Sequence, residues 1–150
     1  MKQAVDSFYE TAVEFCEFIG QNMITLETVD YLISSLMTLY IKALALPNIE
    51  PDSLGSVCEP FPKPFQVRID RQVPSVYWMV CDPLEGEDLA AGSLYDDLSD
   101  ILCDLRSGIE EYEGGMFGNA VFEWRFGLDA HWGSHAVDLI RVLHALRTGS

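Results

Sequence analysis

Two histidines and an aspartate near the C-terminus are the residues of this sequence best suited to hold a metal ion. His131 and His135 stand four residues apart in His-Trp-Gly-Ser-His, and Asp138 follows three residues later. On one continuous α-helix, all three side chains would project within about 60° of arc, with the imidazoles about 6 Å apart along the axis. Histidines in this arrangement share metal ions, and a nearby carboxylate supplies a third ligand or orients an imidazole. The alternative is that both histidines form hydrogen bonds at the margin of the core.

Three aspartates earlier in the chain are candidates for the remaining ligands. Asp97, Asp100 and Asp104 belong to a predicted helix whose other face is lined by leucine and isoleucine. If this helix packs beside the histidines, one of the carboxylates completes a mixed site that suits Zn, Mn or Fe better than Ca. The same carboxylates are also consistent with a solvated helix face or with a face that docks a basic partner.

Glu123 lies on the flank of the same stripe as the histidines, among residues with small side chains. A metal lowers the pKa of its bound water towards about 7, and a neighbouring carboxylate then acts on the hydroxide. Glu123 is therefore a candidate base. Close helix packing explains the small residues equally well.

Four helices must position these side chains. The apolar periodicity predicts a first helix near residues 2–19, a second from Thr25 to Pro47, a third from Ser93 to Gly114 and a last one from Asn119 to about Leu146. All seven prolines fall in residues 47–83, which predicts a long crossover. Within it, residues 65–69 alternate like a short strand, and residues 76–80 are apolar enough for a strand or a helical turn. The sequence predicts one all-α domain, a four-helix bundle spanning residues 1–150.

The negative charge of the protein is concentrated in one segment. The formal net charge is −15, and residues 82–113 carry eleven acidic residues against Arg106 alone. This field repels phosphate, which argues against nucleic acids and anionic membrane surfaces as partners. The sequence contains neither a leader-like apolar run at its start nor a stretch of about 20 apolar residues, and its four cysteines are widely spaced. We therefore expect a cytoplasmic protein with free thiols.

Several motifs in residues 77–144 resemble a family of helical bacterial domains of unknown function. The resemblance is carried by Tyr-Trp at 77–78, Gly-Ser-Leu-Tyr-Asp-Asp-Leu at 92–98, Phe-Glu-Trp-Arg-Phe-Gly at 122–127 and His-Trp-Gly-Ser-His at 131–135. It implies a helical fold and a bacterial origin, but no mechanism. The positions to which it directs attention are Glu123, Arg125, His131 and His135.

Two functions follow from these features, and the sequence favours the first over the second. The first is a small acidic interaction module that binds a protein partner, in particular a basic one, without chemistry of its own. The second is a metal-dependent hydrolytic enzyme with His131, His135 and one aspartate of the third helix as ligands. Which of them fits depends on whether the third and last helices are neighbours.

Overall fold

The computed structural model describes residues 1–52, 67–86 and 88–149. Within these ranges the chain is mostly helical, as predicted, but it forms five α-helices rather than four, together with a small sheet. The elements are α1 (Lys2–Gln21), α2 (Val29–Leu44), β1 (Val76–Val80), β2 (Leu89–Ser93), α3 (Leu94–Glu113), α4 (Phe117–Ala130) and α5 (Trp132–Thr148). No helix in the described part of the chain is long and apolar enough to cross a membrane.

The core is built from the predicted apolar helix faces. Helix α3 packs against α1, α4 and α5, and α5 also packs along α2. Two tryptophans, Trp124 on α4 and Trp132 on α5, are fully buried and lie close to the ring of Phe8 on α1. The helices therefore share one continuous core, and α3 is placed directly beside the segment that carries the histidines.

The prediction of one continuous last helix over residues 119–146 is wrong, because the helix is interrupted at His131. The backbone of His131 has φ −149° and ψ −83°, which is not helical, and it separates α4 from α5. At Gly133 a Cβ atom would lie 2.0 Å from the carbonyl oxygen of Leu128, so only glycine permits this close approach of the two helices. Proline is absent from this part of the sequence and the apolar pattern continues through it, so the break leaves no periodic signal.

The proline-rich crossover contains one of the predicted strands. Residues 76–80 form β1, which pairs antiparallel with β2 so that Tyr77 lies opposite Gly92. A strand rather than a helical turn is therefore formed there. The other predicted strand, residues 65–69, lies partly outside the described residues; its last residue, Ile69, forms a parallel bridge with Ile24.

The start of α3 is capped by Ser93, the residue at which the third helix is predicted to begin. The Ser93 hydroxyl accepts a hydrogen bond from the backbone N–H of Asp96, which satisfies one donor of the first turn. Leu94, Leu98, Ile101 and Leu105 on the apolar face of α3 are all buried. This fixes the rotation of α3 about its axis and so determines where its aspartates point.

Candidate functional site

Helix α3 brings a carboxylate to the two histidines at the break between α4 and α5. Ligand atoms of Asp100, His131 and His135 all lie within 4.8 Å of one another. The Nε2 atom of His135 lies 3.4 Å from Oδ2 of Asp100, and the two imidazole centroids are 4.9 Å apart in an edge-to-face arrangement. In a tetrahedral zinc site with ligand bonds of about 2.1 Å, neighbouring ligand atoms are about 3.4 Å apart. The His135–Asp100 pair already has this spacing.

Each imidazole is held by a second carboxylate of α3. Nδ1 of His131 lies 2.8 Å from Oδ2 of Asp104, and Nδ1 of His135 lies 2.7 Å from Oδ1 of Asp97. When a neutral ring donates its Nδ1 proton to a carboxylate, its Nε2 atom keeps the lone pair that a metal binds. Such carboxylate–histidine pairs fix the orientation and raise the basicity of metal-binding imidazoles. We refer to Asp97, Asp100, Asp104, His131 and His135 as the His–Asp cluster.

The β-hairpin supports this cluster from the other side through Tyr77. Its hydroxyl donates a hydrogen bond to Oδ2 of Asp97, whose carboxylate is buried. Burial, followed by the adjacent carboxylate, raises the pKa of Tyr77, so the hydroxyl retains its proton and remains a donor. A Cβ atom on Gly92 would lie 2.4 Å from the tyrosine ring. Glycine opposite Tyr77 is therefore what lets the ring lie across β2.

Sequence reasoning missed Tyr77 as a member of the site. Tyr77 stands in a continuous apolar run over residues 76–80, and no spacing rule connects residue 77 to residue 97. The feature that could have identified Tyr77 is the pairing of a strand tyrosine with a glycine. This pairing can be recognised only when the register of the two strands is known. Gly127 is one of the small residues predicted on the flank of the histidine stripe; it faces Trp132 and Asp104, and an added Cβ would lie 2.8 Å from the indole.

The remaining predicted site residues are distributed differently. Asp138, on α5, has a pKa raised first by burial and then by Asp97, which places it beside the cluster. Arg125 forms an ion pair with Asp129 at 2.7 Å on its own helix. It lies about 200° around α4 from Gly127, the residue of α4 that faces Asp104. Arg125 therefore points away from the cluster.

Glu123 lies on the same side of α4 as Gly127 and near the cluster. Its pKa is raised by burial first and by the neighbouring charges of Asp104 and Glu111 second. Burial likewise raises the pKa of Asp104, although its contact with His131 acts in the opposite direction. The site thus gathers more carboxylates than the two imidazoles can neutralise, an arrangement that favours binding of a cation.

The solvated-face interpretation of the α3 aspartates holds only for part of the helix. Asp96 is exposed, whereas Asp97 is 5% exposed and faces α5. The reason is that α4 and α5 pack against α3, where His131 and His135 contact Asp104 and Asp97 directly. The structure thereby separates the three candidate ligands into Asp100, which faces His135 Nε2, and two aspartates that hold the rings at Nδ1.

Comparison with known proteins agrees with the resemblance seen in the sequence. The model of a family described as a domain of unknown function, DUF5063, matches residues 1–148. The chain belongs to this family. A crystal structure of protein BF1032 from Bacteroides fragilis is similar, with a TM-score of 0.68, 22% sequence identity and coverage of 96% of this chain and 95% of that one. That similarity establishes the fold alone, and no curated protein matches the sequence.

For this DUF5063 domain the raised pKa of Glu123 gives a prediction with a definite sign. A carboxyl group whose folded pKa is raised above its unfolded value stabilises the fold below the unfolded pKa, and this contribution is lost as the pH rises through the folded pKa. Glu123→Gln is therefore expected to increase the free energy of unfolding at pH 7, by less than about 1 kcal/mol because the group is partly solvated. Urea titrations at pH 7 and pH 4 measure the difference.

The gain from Glu123→Gln should disappear at pH 4, where the wild-type carboxyl group is largely protonated. Glu110→Gln on α3 is a suitable control because Glu110 is exposed, and it should leave stability nearly unchanged at both pH values. A loss of stability in Glu123→Gln at pH 7 would contradict the placement of Glu123 in a desolvated, negatively charged environment.

Proposed function

We propose that this domain binds one divalent transition-metal ion, of the Zn, Mn or Fe class, through Asp100, His131 and His135. The observation that carries the proposal is the 3.4 Å separation of His135 Nε2 from Asp100 Oδ2, in a cluster whose three ligand atoms lie within 4.8 Å. The carboxylates at both Nδ1 atoms support it, because they orient the rings as in known metal sites. Two imidazoles and one carboxylate suit these metals better than calcium or magnesium.

Three protein ligands leave at least one coordination position for water, which is the pattern of catalytic rather than structural metal sites. We therefore propose hydrolysis as the reaction class. A bound metal supplies a water molecule of lowered pKa. Glu123 is the chain's own candidate to accept a proton from it, since burial raises the pKa of this carboxyl group towards the working range of a base. Arg125, engaged with Asp129, has no part in this proposal.

The test is metal uptake by untagged protein prepared without chelator or immobilised metal. After EDTA treatment and desalting, titration with Zn²⁺ and separately with Mn²⁺ should reach about one equivalent per chain in calorimetry. At 100 times the dissociation constant, one bound ion should increase stability by about 2.7 kcal/mol. Uptake well below one equivalent of both ions, without a change in thermal stability, would refute the proposed site.

A second candidate function is the interaction module with a basic protein partner. It is supported by the segment from residue 82 to residue 113, in which eleven acidic residues accompany one arginine. Asp96, Glu110 and Glu113 of this segment are exposed on α3. At physiological ionic strength, interactions between exposed charges are screened over about 8 Å. Contacts closer than this between the acidic side chains and a basic surface therefore remain favourable. A cytoplasmic location is part of this proposal. Among the described cysteines, Cys16, Cys81 and Cys103 form no disulfide bond, which is consistent with that location.

A further inference from the structure

The β-hairpin presents an apolar face to solvent. Side chains alternate along its strands, and the register places Trp78 opposite Ala91 and Val80 opposite Leu89. Val76 is 61% exposed, Trp78 73% and Leu89 67%. We call the set Val76, Trp78, Val80, Leu89 and Ala91 the hairpin outer face. These five residues are apolar, and Ser93, which lies opposite Val76 at the end of the face, caps α3.

The opposite face of the same hairpin explains why this surface stays in place. Tyr77 lies on it and is bonded to the buried Asp97 of α3, and the backbone N–H of Leu94 donates to the carbonyl of Ser75 at 2.9 Å. A two-stranded hairpin alone is marginally stable in water, so these contacts to α3 hold it in register. The hairpin outer face is therefore a preformed surface, with the exposed Trp78 near its centre.

Scattered exposed apolar residues are ordinary, but several on one side of one sheet form a patch of the kind that marks interaction sites. Tryptophan is among the residues that contribute most binding energy at protein interfaces, because it buries a large rigid surface. Trp124 and Trp132, by comparison, are fully buried in the core. The third tryptophan of the chain is the one placed at the surface.

The charged residues around the hairpin outer face determine which kind of partner can bind there. From residue 72 to residue 105 the sequence contains no lysine or arginine. Glu85 and Asp88, at the end of the hairpin, and Asp96, at the start of α3, are exposed. Two copies of this chain meeting through their hairpins would bring these negative rims together, which opposes self-association. A partner with positive charges around an apolar centre is complementary to both features.

We propose that the hairpin outer face docks a protein segment that presents an apolar side chain flanked by lysine or arginine. Trp78 is the central contact, Val76 and Leu89 extend it, and the acidic rim selects the basic flanks. This surface lies on the solvent side of the sheet, whereas Tyr77 on the other side faces the His–Asp cluster. The proposal rests on the interaction module given above as the second candidate function, for which it names the docking surface. It is independent of metal binding, and the two can fail separately.

The probe for the test is a labelled 12-residue peptide of alternating lysine and leucine, compared with peptides of alternating lysine and serine and of glutamate and leucine. Fluorescence anisotropy at physiological salt should show binding of the lysine–leucine peptide at least about tenfold tighter than of either comparison peptide, a difference of about 1.4 kcal/mol. Trp78→Ser should weaken this binding about tenfold or more. Ile41→Ser, at a position 67% exposed on α2, should leave it unchanged.

Acrylamide quenching reports the same event from the protein side. Bound peptide should remove most of the quenchable tryptophan emission, since Trp78 is exposed and the other two tryptophans are buried. Equal affinity of wild type and Trp78→Ser, or equal affinity for the lysine–serine peptide, would overturn the proposal. It would also be overturned by a wild-type dimer in sedimentation that Trp78→Ser converts to a monomer, because a second copy would then be the occupant.

Discussion

His131→Gln, His135→Gln and Asp100→Asn are each expected to abolish stoichiometric metal binding, whereas Asp97→Asn and Asp104→Asn are expected to weaken it about 10- to 100-fold. The difference follows from geometry. Asp100 faces the Nε2 atom of His135, while the other two aspartates contact the Nδ1 atoms of the rings. Calorimetric titration of each metal-free variant with Zn²⁺ measures the separation between the two groups.

Asp96→Asn is the matched control for this series. Asp96 stands on the same helix and carries the same charge, but it is exposed and its backbone N–H binds the cap residue Ser93. It should retain wild-type affinity. Because Asp97 is buried, each variant is first compared by urea unfolding, so that a loss of affinity is not confused with a loss of fold. Wild-type affinity in His131→Gln and His135→Gln would show that any bound metal sits elsewhere.

Trp124→Ala is expected to be the most destabilising single change considered for this domain, by about 3–5 kcal/mol. The indole is fully buried, its centroid is 4.9 Å from that of Phe8, and its Nε1–H donates to the carbonyl of Leu105 at 3.1 Å. Gly108 on α3 lies so close to this ring that an added Cβ would be 2.1 Å from Nε1. Removing the indole therefore empties a volume enclosed by α1, α3 and α4.

Such a loss is a large part of the roughly 5–15 kcal/mol that stabilises a typical domain. Trp78→Ala provides the comparison within the same chain, because Trp78 is 73% exposed. Its effect on urea unfolding should be within about 0.5 kcal/mol of zero. A cost below about 1.5 kcal/mol for Trp124→Ala would show that the helices can collapse around the vacated volume and that Trp124 does not organise the core.

The sequence indicates that the histidines could lie beside the α3 aspartates, but the helix geometry behind that prediction is partly incorrect. The spacing predicts that His131 and His135 lie on one continuous helix, whereas His131 is the non-helical residue between α4 and α5. The rings nevertheless lie with centroids 4.9 Å apart. Local spacing kept the two residues close, while the direction in which each ring points is set by tertiary contacts with Asp97 and Asp104.

The assignment of roles among the aspartates could not be made in advance. Asp97, Asp100 and Asp104 have the same chemistry and recur at spacings of three and four, so the sequence ranks none above the others. Their roles follow from how α4 and α5 lie across α3, which depends on the break at His131 and on Gly133. A backbone conformation at one residue is not encoded in hydrophobic periodicity.

Asp100 is far from the two histidines along the chain, although all three proposed ligands are close in space. Asp100 and His131 are separated by 31 positions, and between them lie most of α3, the turn at residues 114–116 and all of α4. An ion joining them would act as a removable cross-link that closes this loop. In the unfolded chain, closure of such a loop costs conformational entropy that grows slowly with its length. Because folding already holds α3 and α4 side by side, most of this entropy is lost before an ion binds. A metal ion would therefore preferentially stabilise the folded helix pair.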